Sequence, residues 1–361
     1  MGNRRPASVF FTAVLLTVLY FALFPYSLGR ELVAKPAWAV DLSAASSNSA
    51  AAGQPLTDDT GAAPFQLGGS FGYIRPDGAL VHLESTLFRV ALSRAGYINY
   101  TRVGTDWIMR DPRGGRLLAF SGYGYPLLSE DGQRVLVVDP DMTGVLEVDG
   151  NGDMAWSRDF PAILTSLSVE PDFLAAGMLN GSLQLLGRHG TPLFQVSPAS
   201  GRVATVYGCG VAPDGSYLAS VSGTRPQVLT VLGRRGSSYA ESLRVPLGTD
   251  YRREIRTGFS PDSRYFYYES ASAVGLVEPS SGRLSSVALG GNLAGRSFLG
   301  NGLAAFASHD GGRVSLHLVR PFVATIDSEG FRAGDLFLGA IGGQLLLGMD
   351  SQLLRVEIEE M

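Results

Sequence analysis

From residue 64 onward the chain alternates short apolar runs with clusters of Gly, Pro, Asp and Ser, and no stretch there holds the spacing of an amphipathic helix. The clearest unit begins with residues 256–260, turns at Pro261-Asp262-Ser263 and continues through residues 264–268. A short turn at Ala271-Ser272 leads to residues 274–277, and Ser280-Ser281-Gly282 leads to residues 283–289. Pro presets the backbone of the first turn and Asp or Gly completes it. The pattern predicts four short strands joined by tight turns.

Similar turns recur at Pro76-Asp77-Gly78, Glu130-Asp131-Gly132, Pro171-Asp172 and Pro213-Asp214-Gly215, with weaker versions at Asn301-Gly302 and Gly342-Gly343. Successive intervals are 54, 41, 42, 48, 39 and 41 residues. A four-stranded propeller blade takes roughly 40–50 residues. One such sheet cannot bury both faces alone, so the units must pack around a common axis. The expected fold is an all-β, about seven-bladed β-propeller of four-stranded blades over residues 64–361. Its ring should close by pairing residues 352–359 with residues 63–67, because an open edge invites aggregation.

Two kinds of blade are discernible. Residues 174–186, Leu-Ala-Ala-Gly-Met-Leu-Asn-Gly-Ser-Leu-Gln-Leu-Leu, resemble a quinoprotein-like propeller blade, as do residues 146–156, which end on Trp156. Residues 211–220 and 259–268 look more like WD-repeat blades. The resemblance is one of blade pattern and implies fold. The Gly-His and Trp-Asp dipeptides of strong WD repeats do not occur. Quinone-dependent dehydrogenases of similar blade pattern carry a vicinal cysteine pair and tryptophans in every blade. This chain has one Cys and three Trp, so no cofactor is expected.

The N-terminus is of another kind. After the basic start, residues 1–7 with Arg4 and Arg5, residues 8–29 are uncharged and strongly apolar. That is just long enough to cross a bilayer as a helix. The positive-inside tendency keeps Arg4 and Arg5 in the cytoplasm and sends the remainder across, to the periplasmic side of an envelope. The rival reading is a cleaved signal peptide, with Ala37-Trp38-Ala39 as its small-x-small site. Residues 30–63 read as a flexible linker, whose stretch of small and polar residues from position 40 has a reach of roughly 25–30 Å.

Charge and composition then narrow the function. Net charge is −4, so no global basic field recruits nucleic acid. Lys35 is the sole lysine, which excludes a Walker-type phosphate loop and lysine-based covalent chemistry in the globular part. Cys209 is the single cysteine, so neither an internal disulfide nor a Cys-rich metal site can form. It reads as a buried strand residue. Asp149-Gly150-Asn151-Gly152-Asp153 resembles a calcium loop, but Met154 and Phe160 stand where an EF-hand needs Gly and Glu. It is better explained as a hairpin turn. Gly68-Gly69-Ser70-Phe71-Gly72 matches a nucleophile elbow, which must join a strand to a helix; here strands surround it. His82, His189, His309 and His317 lack metal-ligand spacing, and His309 is expected at a surface hairpin turn.

What remains is a surface. Residues 105–116 and 233–254 read as loops longer than the repeat requires, and long loops on rigid scaffolds carry function. Links between blades share a face with the turns between each blade's middle strands. That face is expected to carry Trp107, Arg110, Arg225, Tyr251, Arg252, Arg253 and Arg296, residue types enriched in interface hot spots. Arg234 and Arg235 are expected on the opposite face. The resulting expectation is a non-catalytic, membrane-anchored module binding other envelope or membrane-associated proteins. The alternative is a propeller enzyme or a small-ligand or metal binder using the central channel.

Overall fold

The computed structural model describes residues 32–47, 61–198, 203–327 and 330–360. Among the described residues two compact units are distinguished, one holding residues 32–35 and 357–360 and the other lying within Pro36–Val356. In the first, Lys35 Nζ meets Glu359 Oε2 at 2.8 Å, an exposed pair. Apart from the helix Leu42–Ser47 and a 3-10 turn at Gly300–Gly302, every described regular element is a strand.

The strands form consecutive antiparallel groups. Sheet 1 has three strands, Ala63–Leu67, Ser70–Ile74 and Leu80–Ser85. Next comes a seven-stranded sheet built around one long strand, Arg116–Leu128. Its first half pairs with Gly104–Arg110 and its second half with Val135–Val138. The halves are called sheets 2 and 3; sheet 2 begins with Arg89–Leu92 and Tyr97–Tyr100, and sheet 3 ends with Gly144–Val148 and Met154–Asp159. Sheets 4, 5, 6 and 7 begin with Leu164–Val169, Val206–Val211, Thr257–Phe259 and Asn292–Phe298, each followed by hairpin-connected partners in chain order. Sheet 8 runs Leu336–Ile341, Gln344–Met349, Gln352–Glu360 and then Leu32–Asp41 from the N-terminus.

Apolar side chains fill the space between successive sheets. Leu136, Val138 and Val145 of sheet 3 pack on Leu164, Leu174 and Met178 of sheet 4. Ala175, Leu183 and Leu185 of sheet 4 pack on Val206, Cys209 and Val211 of sheet 5. First strands are also tied by side chains. Thr165 Oγ1 donates to the Val206 carbonyl at 2.6 Å, and Thr257 Oγ1 donates to the Cys209 carbonyl at 2.8 Å. Gly177 is required for this approach: a Cβ there would lie 2.6 Å from Val206 Cγ1.

Four expectations change. The 54-residue interval after Asp77 conceals a further strand group, sheet 2. Its first turn, residues 93–96, is closed by Ser93 N–H to Gly96 O and lacks the Pro-Asp signature. The Asp77 turn joins the second and third strands of a three-stranded sheet. Ring closure also differs. Ala63–Leu67 pairs with Ser70–Ile74, while Gln352–Glu360 lies beside Leu32–Asp41. So residues 32–47 of the expected 30–63 linker are strand and helix. The alternating residues Trp38 and Val40 pack on the Phe65, Leu67 and Leu353 core, and Trp38 Nε1 donates to the Pro76 carbonyl at 2.8 Å. The expected loops 105–116 and 233–254 are mostly strand, since Trp107 and Met109 alternate inward and Ser238–Leu247 extends a long hairpin. The apolar segment 8–29 lies outside the described residues, among which no helix is long and apolar enough to cross a membrane.

Candidate functional site: one end of the sheets and an axial cavity

Antiparallel pairing gives the sheets two ends. One, the turn end, carries the turns at Arg94, Asp131, Asp172, Asp214 and Asp262, which join the first and second strands of sheets 2 to 6. The other, the link end, carries the turns between each sheet's middle strands and the links from one sheet to the next.

The turn end is self-contained. Asp111, Asp131, Asp149, Asp214 and Asp262 each accept a backbone N–H from the residue two positions on, as at Asp149 with Asn151 N at 2.8 Å. This is an Asx turn. It fixes Asp149 in the hairpin role expected for it, and these backbone hydrogen bonds hold its carboxyl below the usual range. Gly68–Gly69 joins strand to strand, with Gly68 at φ 57°, so the elbow geometry is missing. His309 sits beside the Asp310–Arg313 hairpin turn, as expected. Cys209 is buried, and burial pushes its thiol up to about 11. Among the described residues no three His, Cys, Asp or Glu side chains assemble as a metal site.

The link end is different. Leu87 and Phe88 between sheets 1 and 2, Tyr123 between sheets 2 and 3, Ile163 between sheets 3 and 4, Leu179 in sheet 4 and Val203 before sheet 5 are 45–63% exposed. They follow the order of the sheets. Leu179 N–H donates to the Ile163 carbonyl at 2.8 Å, and Thr205 Oγ1 donates to the Leu179 carbonyl at 2.9 Å, so part of the band is stitched together. Other exposed apolar residues include Met154 and Leu193 on outer strands, Ile108 on the third strand of sheet 2, and Leu284 with Val323, which share a surface hollow near the turn end of sheets 6 and 7.

Beside this band lie four of the expected residues. Arg225 Nε donates to Asp250 Oδ2 at 3.0 Å, and Arg252 approaches the same oxygen at 3.7 Å. Tyr251 is clamped by the fully buried Gln227, whose Nε2 donates to the Tyr251 carbonyl and whose Oε1 accepts its N–H. Arg253 lies 4.7 Å from the Tyr251 ring centroid and makes a two-pronged pair with the buried Glu269, at 3.0 and 2.7 Å. The other three are elsewhere. Trp107 is core: its Nε1 donates to the Gly122 carbonyl at 2.7 Å and its ring meets Tyr100 edge-on. Arg110 is at the turn end, hydrogen-bonded to the Gly114 carbonyl. Arg296 stands on the first strand of sheet 7. Arg234 and Arg235 end a strand at the turn end, opposite the cluster, as expected.

First strands and their turns surround an axial cavity of about 920 Å³ that includes Arg94, Glu130, Glu170, Arg256, Tyr267 and Arg296. Burial, with the nearby charges of Glu130 and Asp131, pushes Glu170 up to about 7 against the pull of Arg296. Sequence patterns missed this group, because its members come from different sheets and share no local spacing. They also missed the fully buried Arg134. Its Nε and Nη2 pair with both oxygens of Glu147 at 3.0 and 2.6 Å, and its Nη1 donates to the Glu170 and Phe173 carbonyls, stapling sheet 3 to sheet 4. A second polar network joins sheets 1 and 2, with Tyr97 OH at 2.8 Å and Asn99 Nδ2 at 2.7 Å from Glu84 and His82 beside them.

Comparison with known proteins bears on the fold. An uncharacterized protein of Treponema pallidum (strain Nichols) is 21% identical over 215 residues, 60% of this chain and 56% of that protein. The chain thus spans about half the length of that relative. BamB from Moraxella catarrhalis superposes with a TM-score of 0.57 at 15% identity, over 90% of this chain and 100% of the other. A chain of the mitotic checkpoint complex superposes with a TM-score of 0.56 at 13% identity, covering 85% of this chain and 95% of its own. These likenesses bear out the expected propeller resemblance, and at such identity they speak to fold. A family model described as a beta-propeller protein matches residues 2–361, and the chain belongs to that β-propeller family.

Proposed function

We propose that this propeller is a protein-binding or scaffold module, held at a membrane by residues 8–29 and working on the extracytoplasmic side with envelope or membrane-associated proteins. The observation that carries the binding role is the apolar band at the link end, with the Arg225, Tyr251 and Arg252 cluster beside it. Exposed apolar residues gathered on one face, with arginine and tyrosine at the margin, have the composition of a docking surface. The two superposed proteins include a member of a complex by its printed name, which agrees with a binding role. We count sheets 2 and 3 as separate blades, which makes eight strand groups among the described residues against the seven read from turn spacing.

The anchor and its orientation rest on Arg4, Arg5 and the uncharged stretch after them. Two experiments test the proposal. Proteins captured from solubilised membranes by the full chain should be lost on Ile163→Ser with Leu179→Ser and retained on Arg234→Ala with Arg235→Ala. Equal loss from both pairs would refute the face assignment. A C-terminal reporter active only in the cytoplasm should be silent, and strong activity would reverse the topology.

A further inference from the structure

We propose that the axial cavity is a binding site for a small zwitterion, with the ligand's cationic end at Glu170 and its anionic end at Arg296. The volume, about 920 Å³, suits a small molecule. The chemistry is decided by which charged groups already have partners. Arg256 Nη1 donates to the Leu293 and Ala294 carbonyls at 2.7 and 3.1 Å. Arg94 pairs with Glu130 at 3.5 Å. Asp131 Oδ1 accepts from Ser129 Oγ and the Gln133 N–H. Arg134 donates to the Glu170 backbone, leaving the carboxyl alone.

Two groups remain. Among the described residues no hydrogen bond or ion pair reaches the Glu170 carboxyl, and no carboxylate ion-pairs with Arg296, whose guanidinium lies 4.6 Å from the Tyr267 ring centroid and hydrogen-bonds that tyrosine's side chain. Glu170 opens the turn after the first strand of sheet 4, Arg296 stands on the first strand of sheet 7, and both line the cavity. A simple anion would meet the acidic side of the cavity, and a simple cation would meet Arg296. A molecule carrying both charges satisfies both groups.

The charged and titratable groups around Glu170 are Glu130 and Asp131 from the turn of sheet 3 and Arg296 from sheet 7. The two carboxylates favour a proton on Glu170 and the guanidinium opposes it. An arriving ammonium group would displace that proton, so binding should release protons near neutral pH. This inference is independent of the protein-binding reading, since the cavity and the apolar band share no residue.

The test is calorimetric titration of the full chain, in detergent, with ω-amino acids of increasing length: glycine, β-alanine, γ-aminobutyrate and ε-aminocaproate. Two buffers of different ionisation enthalpy at neutral pH report proton release. At least one length should bind, weakened tenfold or more by Glu170→Gln and likewise by Arg296→Met, with proton release lost in the first. Butylamine and butyrate should bind at least tenfold more weakly than the preferred amino acid. The proposal is overturned if no member binds more tightly than about 1 mM, if butylamine or butyrate matches the amino acids, or if either substitution leaves affinity unchanged. Should a variant not fold, the wild type decides alone: binding without proton release overturns the assignment of the cationic end to Glu170.

Discussion

The two ends of the sheets are built from similar residue types and put them to opposite use. At the turn end, Asp149, Asp214 and Asp262 are exposed or half-exposed, yet each carboxylate closes its own turn. At the link end, Leu87, Phe88, Tyr123, Ile163, Leu179 and Val203 stand out from the surface and lack comparable cover. A repeat needs its turns to be reproducible, so it gives their polar groups local partners. Links also tie sheets together through the backbone, as Leu164 N–H of sheet 4 does to Met142 O of sheet 3, and leave these side chains facing outward. The comparison teaches that polar density is a poor guide to function in this fold. Whether a side chain already has a partner is the better one.

The sharpest way to break that contrast is at Arg134, near the turn end. Arg134 is fully buried and Glu147 nearly so, and removing one partner strands the other charge. Arg134→Met should therefore cost about 3–5 kcal/mol in urea unfolding, and Arg134→Met with Glu147→Leu should recover part of it. Protein capture by the folded fraction should not change. A cost below about 1 kcal/mol would show that the staple contributes little.

Within the link end the contrast predicts a division inside one cluster. Arg253 is half-exposed but faces Glu269, which is 3% exposed at its side chain. Arg253→Ala should cost roughly 2–4 kcal/mol, moderated because the Arg256 N–H still reaches that carboxylate. Arg252→Ala, which loses a 3.7 Å exposed contact, should cost below about 1 kcal/mol. Arg253 is thus a structural residue at the site's margin, and an alanine scan treating Tyr251, Arg252 and Arg253 as one surface unit would confuse unfolding with lost binding.

Glu170 supplies a smaller effect with a definite sign. Its ordinary value is 4.5 and burial with nearby carboxylates raises it to about 7 in the folded state. Between these values the unfolded chain loses this proton first, so wild-type stability falls as pH rises through that window. Glu170→Gln removes the penalty. The variant should match wild type near pH 4 and exceed it by about 2 kcal/mol at pH 8, a figure reduced from the full shift because the group retains solvent contact. Denaturant midpoints at the two pH values check this, and a gain independent of pH would refute it.

These contrasts also mark what the sequence could reveal. Sheets 4 to 6 were legible because each begins with a Pro-Asp turn and buries continuous apolar strands such as residues 174–178. Sheet 2 was not, because its turn at Ser93–Gly96 is closed by Ser93 Oγ and lacks proline. Its last strand also runs on into sheet 3 through Gly124, at φ 154° and 2.0 Å from the Val138 carbonyl if given a Cβ. The closing strand Leu32–Asp41 was hidden by its Ala-rich composition and its distance from its partner in sequence. Of the expected surface, Arg225, Tyr251, Arg252 and Arg253 were placed together by the link rule. Trp107 and Arg110 were misplaced because a strand with alternating burial was read as a loop. The cavity residues Glu170 and Arg296 are related only in space, 126 positions apart in the chain, and no local pattern records that.

The smallest expected effect on stability is the most informative about function. Ile163 and Leu179 are joined through backbone atoms, Leu179 N–H to Ile163 O, and serine at either position keeps that bond. Their side chains are 46% and 50% exposed, so folding gains little from burying them, and neither replacement opens a core cavity. Ile163→Ser with Leu179→Ser should therefore change unfolding free energy by no more than about 0.5 kcal/mol per site, the range of ordinary surface substitutions. If the band is a docking surface, the same double variant should lose at least tenfold in affinity for a captured protein, because apolar side chains buried in an interface contribute about 1.5–3 kcal/mol each. If it is only tolerated exposure, capture should persist and the variant should merely be more soluble. A loss of stability comparable to that of Arg134→Met would show that these residues support the sheets, and the contrast between the two ends would then fail at its functional side.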